Sequence, residues 1–455
     1  MPILPIDTGR YGTPEMLAVF DEENYVQKLL DVEAALAWAH GQVGNVPRED
    51  AERIAKMAST EYVRLSRVKE IEREIKHDIM SLVRAFSEVC GPSGAYIHLG
   101  VTSYDIVDTA KALQLREAVA IIGGRLDELE LVLVAAAERY KNTIMMGRTH
   151  GQHALPLTFG LKLSVWMREI SRHIQRLEQC KQRLIVGKIS GAVGTQAGLG
   201  ASAMEIQKLV MKRLEMRAAE VSTQIVQRDR HAELVCVLAM IASTLDKFAT
   251  EVRCLQRTEV GEVFEPFERE KQVGSSTMPH KRNPELCERI GGLAKIMRSL
   301  VVPALENVPT WHERDLTQSS SERFILPEAC ILADYVLHLM IGVLSNLEVD
   351  EERMMRNLDL TEGRTMSEAV MMALAGKGMS RQEAHELVRR LAIRSAVAKT
   401  SFKDVLFHEK SVRDLLSEEE IEEALNPRNY LGTSVEQVEL AVEKTKRERR
   451  ERGLE

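Results

Sequence analysis

Gly274-Ser275-Ser276-Thr277-Met278-Pro279-His280-Lys281-Arg282-Asn283-Pro284 is the stretch around which the rest of the sequence is interpreted. One glycine and two prolines exclude the interior of a helix or a central strand, so a loop is predicted. The residues from Glu285 onward are predicted to begin a helix, with Pro284 near its first position, where a missing N–H has no cost. Hydroxyls, an imidazole and two cations therefore lie just ahead of a helix N-terminus, whose free N–H groups favour an anion.

Length and composition favour a helical protein of more than one domain. The chain has 455 residues, which is too long for one simple core and predicts two or three domains. Aromatic residues make up only 4%, and 27 glycines and 13 prolines are modest numbers for this length, a balance that favours helix. The net charge of −7 argues against a general nucleic-acid-binding surface.

The six cysteines are far apart and form no Cys-x-x-Cys pair, which favours buried free thiols over a zinc site or a disulfide framework. The N-terminus lacks the charged-then-apolar pattern of a signal peptide, and no apolar stretch is expected to reach membrane-spanning length. We predict a cytoplasmic protein that binds neither membranes nor nucleic acid.

Long helices with apolar faces dominate the middle of the chain. One is predicted from Asp108 to about Tyr140, and another from Leu161 to Leu184 has apolar residues every seven positions. A third carries no charge from Leu234 to Leu245, which is typical of a helix buried among other helices. Further helices are predicted at 22–41, 47–58, 63–89, 285–302, 319–346 and 381–399.

The loop alone could be an ordinary polar connection between helices. Its whole string, however, resembles the signature loop of the fumarase/aspartase superfamily, and Met278 to Pro284 is similar to the adenylosuccinate lyase branch. Thr277 stands where that branch usually has alanine. The resemblance implies an all-α fold of three helical domains around a central long-helix bundle. We predict domains at 1–107, 108–364 with the signature loop at 274–284, and 365–455.

Three polar strings in the first 105 residues also resemble this branch. Taken alone, they could be a surface pair, a solvated charged face on the helix predicted at 63–89, and a helix cap. The resemblance implies that all three contact substrate. The implied ligands are Arg10 and Tyr11 for a nucleotide phosphate, Lys76, His77 and Asp78 for the substrate, and His98, Thr102 and Ser103 for its carboxylates.

A fourth string, Met146 to Pro156, contains two histidines. His150 and His153 could suggest a metal site, but glycine separates them and no third ligand is near, so no metal is predicted. The resemblance implies that His150 is a general acid.

The last strings precede two of the long helices. Arg314, Ser319 and Arg323 could belong to a mere surface turn, whereas the resemblance implies that they bind the nucleotide end of the substrate. Gln224 is predicted as a further substrate ligand.

The reaction that the resemblance implies is β-elimination of fumarate. Ser275 is the predicted base, with Ser276 the neighbouring candidate, because the C–H beside a carboxylate is weakly acidic and needs one. Lys281, loop N–H groups and the helix end would stabilise the serine alkoxide. Glu288 would orient an imidazole from another subunit. The remaining predictions are His77 as a further catalytic residue and no metal or organic cofactor. The loop is also predicted to supply four substrate ligands: Ser276, Lys281, Arg282 and Asn283.

The resemblance further implies purine nucleotide substrates, namely adenylosuccinate and the succinylated aminoimidazole carboxamide ribotide. It also implies a homotetramer whose sites each draw on three subunits. A carboxymuconate cycloisomerase is one alternative, because that branch shares much of the loop; Arg10, Tyr11 and Arg323 favour a phosphate-bearing substrate instead. A non-catalytic scaffold of the superfamily is another, against which Ser275, His150 and Lys281 argue.

Overall fold

A computed structural model of the protein describes residues 4–268, 272 and 276–454. The described chain is mainly helical, which confirms the all-α class. The helices of seven or more residues are Pro14–Phe20, Glu22–Gln42, Arg48–Met57, Leu65–Ile75, Asp78–Cys90, Ser103–Arg139, Phe159–Leu184, Ala203–Arg213, Asp229–Gln256, Glu285–Ser299, Thr317–Ser345, Glu351–Asp359, Ser367–Gly376, Arg381–Ala398, Glu418–Leu425 and Ser434–Glu451. Shorter α-helices are Val301–Glu306, Phe402–Phe407 and Lys410–Arg413.

Short strands accompany these helices, and the sequence did not predict them. The longest pair is an antiparallel hairpin, Ile144–Thr149 with Gln152–Thr158. Val186–Gly187 pairs in parallel with Arg217–Ala218, and Val263–Phe264 pairs antiparallel with Glu348–Val349. The hairpin was missed because its residues were interpreted only as a polar motif.

The apolar residues that recur every seven positions in the helix Phe159–Leu184 are buried, which confirms the prediction. Leu163, Ile170, Leu177 and Leu184 are each at most 2% exposed. The charge-free run from Leu234 to Leu245 is also mostly buried, as a helix that is apolar all round should be.

The described residues cluster by contacts into two units. One comprises Met1–Asp127, His173–Leu245 and Ile290–Leu339, and the other Glu128–Arg172, Asp246–Arg289 and Met340–Glu455. The predicted division at 1–107, 108–364 and 365–455 is not tested by this clustering and stays a prediction.

The expectation that no stretch reaches membrane-spanning length is wrong. The helix Thr317–Ser345 is long and apolar enough to cross a membrane by length and composition. However, 72% of its most apolar window is buried inside the protein, as in a core helix of a soluble protein. It packs its apolar residues against other parts of the chain, so this helix by itself is weak evidence for a membrane span.

The cysteines are free, but two of them are not buried as expected. Cys254 is exposed and Cys236 is half-buried, whereas the other four lie in the core.

Ser380 and Glu383 form a capping box at the start of the helix Arg381–Ala398. The Ser380 hydroxyl accepts from the Glu383 N–H, and the Glu383 carboxylate accepts from the Ser380 N–H, both at 3.3 Å.

Candidate active site

A cavity of about 550 Å³ lies in the first unit, where the polar strings of that unit converge. Its walls come from the start of the helix Asp78–Cys90, the first turns of Ser103–Arg139 and the first turns of Thr317–Ser345. The polar lining residues are Glu22, His77, Asp78, Ser103, Lys111, Gln114, Arg314, Ser319, Glu322 and Arg323. Six of the predicted substrate ligands therefore line this cavity, and one of them, His77, is also a predicted catalytic residue.

The string Lys76-His77-Asp78 does not lie on a continuous helix at 63–89, and that prediction is wrong. Lys76 adopts a left-handed conformation (φ 57°) that ends the helix Leu65–Ile75, and His77 is extended and caps the next helix. The His77 Nδ1 atom accepts from the Met80 N–H at 3.2 Å. The proton of the neutral ring therefore sits on Nε2. The break places His77 and Asp78 at a helix start, from which they line the cavity.

Arg314 lies flat on the ring of Tyr104, with its guanidinium carbon 3.5 Å from the ring centroid. Its Nη1 donates to the Gln224 side-chain oxygen at 2.9 Å. The Tyr104 hydroxyl in turn donates to Ser319 Oγ at 2.8 Å. Arg323 pairs with Asp78 at 2.9 Å. Arg314, Ser319 and Arg323 therefore all line the cavity, and Tyr104 links the first two.

A buried cluster of charges, which the sequence did not predict, lies behind this wall. Arg228 donates to both oxygens of Asp108 at 2.8 and 2.9 Å and to Glu322 at 2.6 Å. Lys111 reaches Glu322 at 2.5 Å. Burial alone would raise the pKa of the Glu322 carboxyl, but the nearby cations lower it far below its usual range. The cluster ties together three long helices, because a buried charge is tolerated only when it is paired.

His98 forms a pair with a carboxylate that is distant in sequence. Its Nδ1 lies 2.6 Å from Glu33, which is only 1% exposed, and its backbone is left-handed (φ 63°). Burial acts to lower the pKa of His98, but the hydrogen bond and charge of Glu33 outweigh it and raise that pKa. Thr102, four residues on, donates its N–H to the buried Asp105 at 2.8 Å, as at a helix cap. Neither His98 nor Thr102 lines the cavity.

Arg10 and Tyr11 lie apart from the cavity lining as well. The Arg10 guanidinium carbon is 5.8 Å from the Tyr11 ring centroid, and Tyr11 packs against Tyr335 with centroids 6.0 Å apart. Arg10 is exposed.

In the second unit, His150 is at the tip of the hairpin. It occupies the first position of a two-residue turn with Gly151, and both have positive φ, at 55° and 73°. Such turns suit the twist of a hairpin but are unusual for a residue other than glycine, asparagine or aspartate. Arg148, two residues earlier, holds the fully buried Glu262 through bonds of 2.9 and 2.6 Å. This buried pair fixes the strand from which His150 projects into solvent.

The signature loop is described only from Ser276 onward, so Gly274 and the predicted base Ser275 lie outside the described residues. Ser276 and Lys281 are exposed. Arg282 is held differently: it pairs with Glu348 at 2.9 Å and lies over the Phe267 ring at 4.8 Å. Asn283 is half-buried, and Glu288 is exposed in the first turn of the helix that follows.

The helix Glu285–Ser299 does not offer free N–H groups at its start, contrary to the prediction. The carboxylate of Glu265 accepts from the Leu286 and Cys287 N–H groups at 3.1 and 3.0 Å. Burial raises the pKa of Glu265, and these hydrogen bonds oppose the rise. An acidic group of the protein therefore already occupies this helix end.

Among the described residues, no group of three or more histidine, cysteine, aspartate or glutamate side chains is arranged to hold a metal ion. Two sets of described residues match the predicted chemistry: those that line the polar cavity of the first unit, and the exposed His150 and Lys281 of the second.

Comparisons with known proteins decide the family. A family model described as "Lyase" matches residues 9–297, and one described as "Adenylosuccinate lyase C-terminus" matches residues 363–441. The chain is 53% identical to the adenylosuccinate lyase of Pyrococcus abyssi over 97% of this chain and 98% of that protein. It is 51% identical to the adenylosuccinate lyase of Methanothermobacter thermautotrophicus over 98% of this chain and 100% of that protein.

The chain belongs to the adenylosuccinate lyase family. Solved structures agree on the fold of the wider superfamily: the 3-carboxy-cis,cis-muconate lactonizing enzyme from Pseudomonas putida has a TM-score of 0.90 at 34% identity, covering 98% of this chain and 99% of that one. A fumarate lyase from Mesorhizobium sp. BNC1 has a TM-score of 0.89 at 33% identity, covering 95% and 98%. Since both folds match equally well, the higher identity to adenylosuccinate lyases is what separates the branches.

Membership of the adenylosuccinate lyase family gives the cavity a chemical context. The family resemblance had pointed to Arg314, Ser319 and Arg323, and all three line it. Sequence reasoning missed Tyr104, Lys111 and Glu322, which line it too. Only Tyr104 had a usable signal, since an aromatic residue beside Ser103 in a polar string is unusual for a cap.

Proposed function

We propose that this protein eliminates fumarate from adenylosuccinate to give AMP, and from the succinylated aminoimidazole carboxamide ribotide to give its carboxamide. The observation that carries the proposal is the cluster of Arg314, Ser319 and Arg323 on one cavity wall, in a chain about half identical to adenylosuccinate lyases. Guanidinium groups bind phosphate in a two-pronged fashion, so this wall suits the phosphate of a nucleotide.

The size and lining of the cavity fit such a substrate. Its volume of about 550 Å³ lies within the usual range for small-molecule sites, roughly 300–1,000 Å³. Apolar residues such as Phe20 and Leu326 share the lining with the charged groups. The purine ring favours apolar surface, whereas the phosphate needs cations. His77, Asp78 and Ser103, which line the cavity, are further proposed substrate ligands. The other proposed ligands do not line it; they are Arg10, Tyr11, Lys76, His98, Thr102 and Gln224.

The chemical step is assigned mainly to residues of the signature loop and of the hairpin tip. Ser275 removes the β-hydrogen, Lys281 stabilises the resulting charges, and His150 protonates the leaving nitrogen. Glu288 orients an imidazole, His77 is a further catalytic residue, and Ser276, Arg282 and Asn283 contact the substrate. The pairing of Arg282 with Glu348 means that contact with substrate would require this ion pair to be shared or opened.

Arg323→Ala is expected to weaken AMP binding about tenfold or more while fumarate binding hardly changes. The reason is that Arg323 is the most exposed cation on the nucleotide side of the cavity, with 68% of its side chain accessible. Calorimetric titration with AMP and inhibition by fumarate measure the two affinities. Arg67→Ala is the matched control, because Arg67 also pairs with carboxylates but lies outside the cavity lining. Equal losses for both ligands would contradict the assignment.

A homotetramer with two-fold axes is the proposed assembly. The charge-free run at Leu234–Leu245 is largely covered within one chain, so the proposal draws on other apolar residues of the first unit. Met240, Ile296, Val302 and Phe324 are each more than 40% exposed, which is costly unless a partner covers them. Light scattering should give four times the chain mass; a stable, active monomer would refute the proposal.

The protein is also proposed to act in the cytoplasm, with small nucleotides as its substrates and without membrane or nucleic-acid partners. The acidic net charge of −7 supports the last point, because a nucleic-acid-binding surface is generally basic.

Analysis of the reaction products tests the proposed function and distinguishes it from the alternative, a carboxymuconate cycloisomerase. The purified protein is given adenylosuccinate in one reaction and 3-carboxy-cis,cis-muconate in another. We expect equal amounts of AMP and fumarate from the first and no lactone from the second. Lactone formation without AMP would favour a cycloisomerase, and inertness towards both, and towards the ribotide substrate, would favour a non-catalytic scaffold.

A further inference from the structure

Tyr104 lies between two residues of the nucleotide side of the cavity and touches both. It is the second residue of the helix Ser103–Arg139 and is 7% exposed. Its ring faces the Arg314 guanidinium at 3.5 Å, and its hydroxyl donates to Ser319 at 2.8 Å. Tyr104 directly follows Thr102 and Ser103, which the family resemblance implies as substrate ligands, but the resemblance assigns no role to Tyr104 itself.

The ring contact determines where the Arg314 charge sits. A guanidinium so close to an aromatic face is held by attraction to the negative charge of that face. Within the described residues, Gln224 is the one acceptor for an Arg314 hydrogen bond. Arg314 is thus supported from below by Tyr104 and from one edge by Gln224. The rest of its guanidinium is left to a ligand in the cavity.

The hydroxyl contact determines what Ser319 can offer. Because the Tyr104 O–H donates to Ser319 Oγ, the proton of Ser319 is not used in that bond. It can be donated to an anionic oxygen in the cavity that Ser319 lines. One side chain therefore orients both a cation and a hydroxyl donor towards the same region.

We propose that Tyr104 is a positioning residue for the nucleotide phosphate, acting through Arg314 with its ring and through Ser319 with its hydroxyl. The inference rests on the proposed function for the identity of the ligand. A residue that only fills space between helices would also be buried here. If Tyr104 is a positioning residue, the effect of its substitution on AMP affinity depends on Arg314 and Ser319; if it only fills space, that effect does not.

Double-mutant cycles on AMP binding distinguish them. Tyr104→Leu should weaken AMP binding about tenfold, because the aromatic face is lost. In an Arg314→Ala background the same change should weaken binding only about threefold, because only the hydroxyl contact with Ser319 is then still lost. Tyr104→Phe keeps the ring, so it should weaken binding about threefold, and not at all in a Ser319→Ala background. Inhibition by fumarate should be unchanged in all of them, since fumarate lacks the phosphate.

Tyr140→Leu is the matched control. Tyr140 is a buried tyrosine just after the same helix, and the Arg139 guanidinium carbon lies 5.0 Å from its ring centroid, but it does not line the cavity. It should leave AMP affinity unchanged. Additive losses in both cycles would overturn the proposal, and Tyr104→Phe keeps the test valid if Tyr104→Leu fails to fold.

The outcome is separable from that of the proposed function. Calorimetry with AMP needs no turnover, so a wild-type protein that binds AMP but makes no fumarate would refute the activity while still testing Tyr104. A wild-type protein that turns over adenylosuccinate but shows additive cycles would refute only the role of Tyr104. A wild-type protein that does not bind AMP would overturn both.

Discussion

Ser275→Ala is expected to lower turnover of adenylosuccinate about a hundredfold or more while AMP and substrate still bind. The C–H bond beside a carboxylate breaks only when a base takes its proton, and the side chain of alanine has no basic group. The loop residues that follow, from Ser276 to Lys281, are exposed, as expected of a segment that closes over a substrate. Closure would exclude water and strengthen the attraction between Lys281 and the alkoxide.

The neighbouring hydroxyls provide the controls for this prediction. Thr277→Ala removes a hydroxyl from the same loop, at a position where the family usually has alanine, so it should keep near-normal turnover. If Ser275→Ala remains active and Ser276→Ala is dead, the second serine is the base. If both serine variants remain active, the serine mechanism is wrong, and His77 or His98 becomes the candidate.

His150→Asn is the second change expected to lower turnover about a hundredfold or more, because an amide cannot protonate the leaving nitrogen. Asparagine is the right replacement because it tolerates the left-handed backbone at φ 55°, whereas alanine would strain the turn. The exposed ring of His150 at the hairpin tip is free to reach a substrate. Steady-state kinetics should show a fall in kcat with little change in AMP affinity.

His153→Ala is the matched control on the same hairpin. His153 is half-buried, and burial lowers its pKa, so a smaller fraction of its imidazole carries a proton near neutral pH. Its loss should change turnover much less than the loss of His150. The opposite ranking of the two variants would move the general acid to His153.

The sequence predicted elements better than contacts. The helix Phe159–Leu184 was predictable because apolar residues recur in it every seven positions and are buried in the structure. The break in the chain at Lys76 was not predictable, because a run of charged residues without glycine or proline is typical of a continuous helix. Only the left-handed end at Lys76 shows that His77 begins a new helix.

Partners that are distant in the chain could not be predicted from a single sequence. Glu33 holds His98 across 65 positions, and Glu262 holds Arg148 across 114. A lone glutamate in a helix or a loop has no pattern that identifies its partner. The same limit explains the error at the helix Glu285–Ser299. The N–H groups at its start were predicted to be free, but they donate to Glu265, which lies 21 and 22 positions earlier than their own residues.

That occupied helix end changes how the base can be stabilised. A second anion beside the Glu265 carboxylate would be repelled, so the dipole of this helix is a weaker source of stabilisation than the sequence implied. Among the described residues of the loop, Lys281 is an exposed cation whose charge favours an alkoxide. We therefore expect Lys281 to supply more of the stabilisation than the backbone does.

Exchange of the substrate β-hydrogen with solvent tests the division of labour between Ser275 and His150 most directly. Adenylosuccinate is incubated with each variant in deuterium oxide, and the recovered substrate and the fumarate formed are analysed by nuclear magnetic resonance. Because carbanion formation precedes loss of the amine, His150→Asn should return substrate carrying deuterium faster than it releases fumarate. Ser275→Ala should return substrate without deuterium. Deuterium in the substrate recovered from Ser275→Ala, at a rate like that of the wild type, would contradict the assignment of Ser275 as the base.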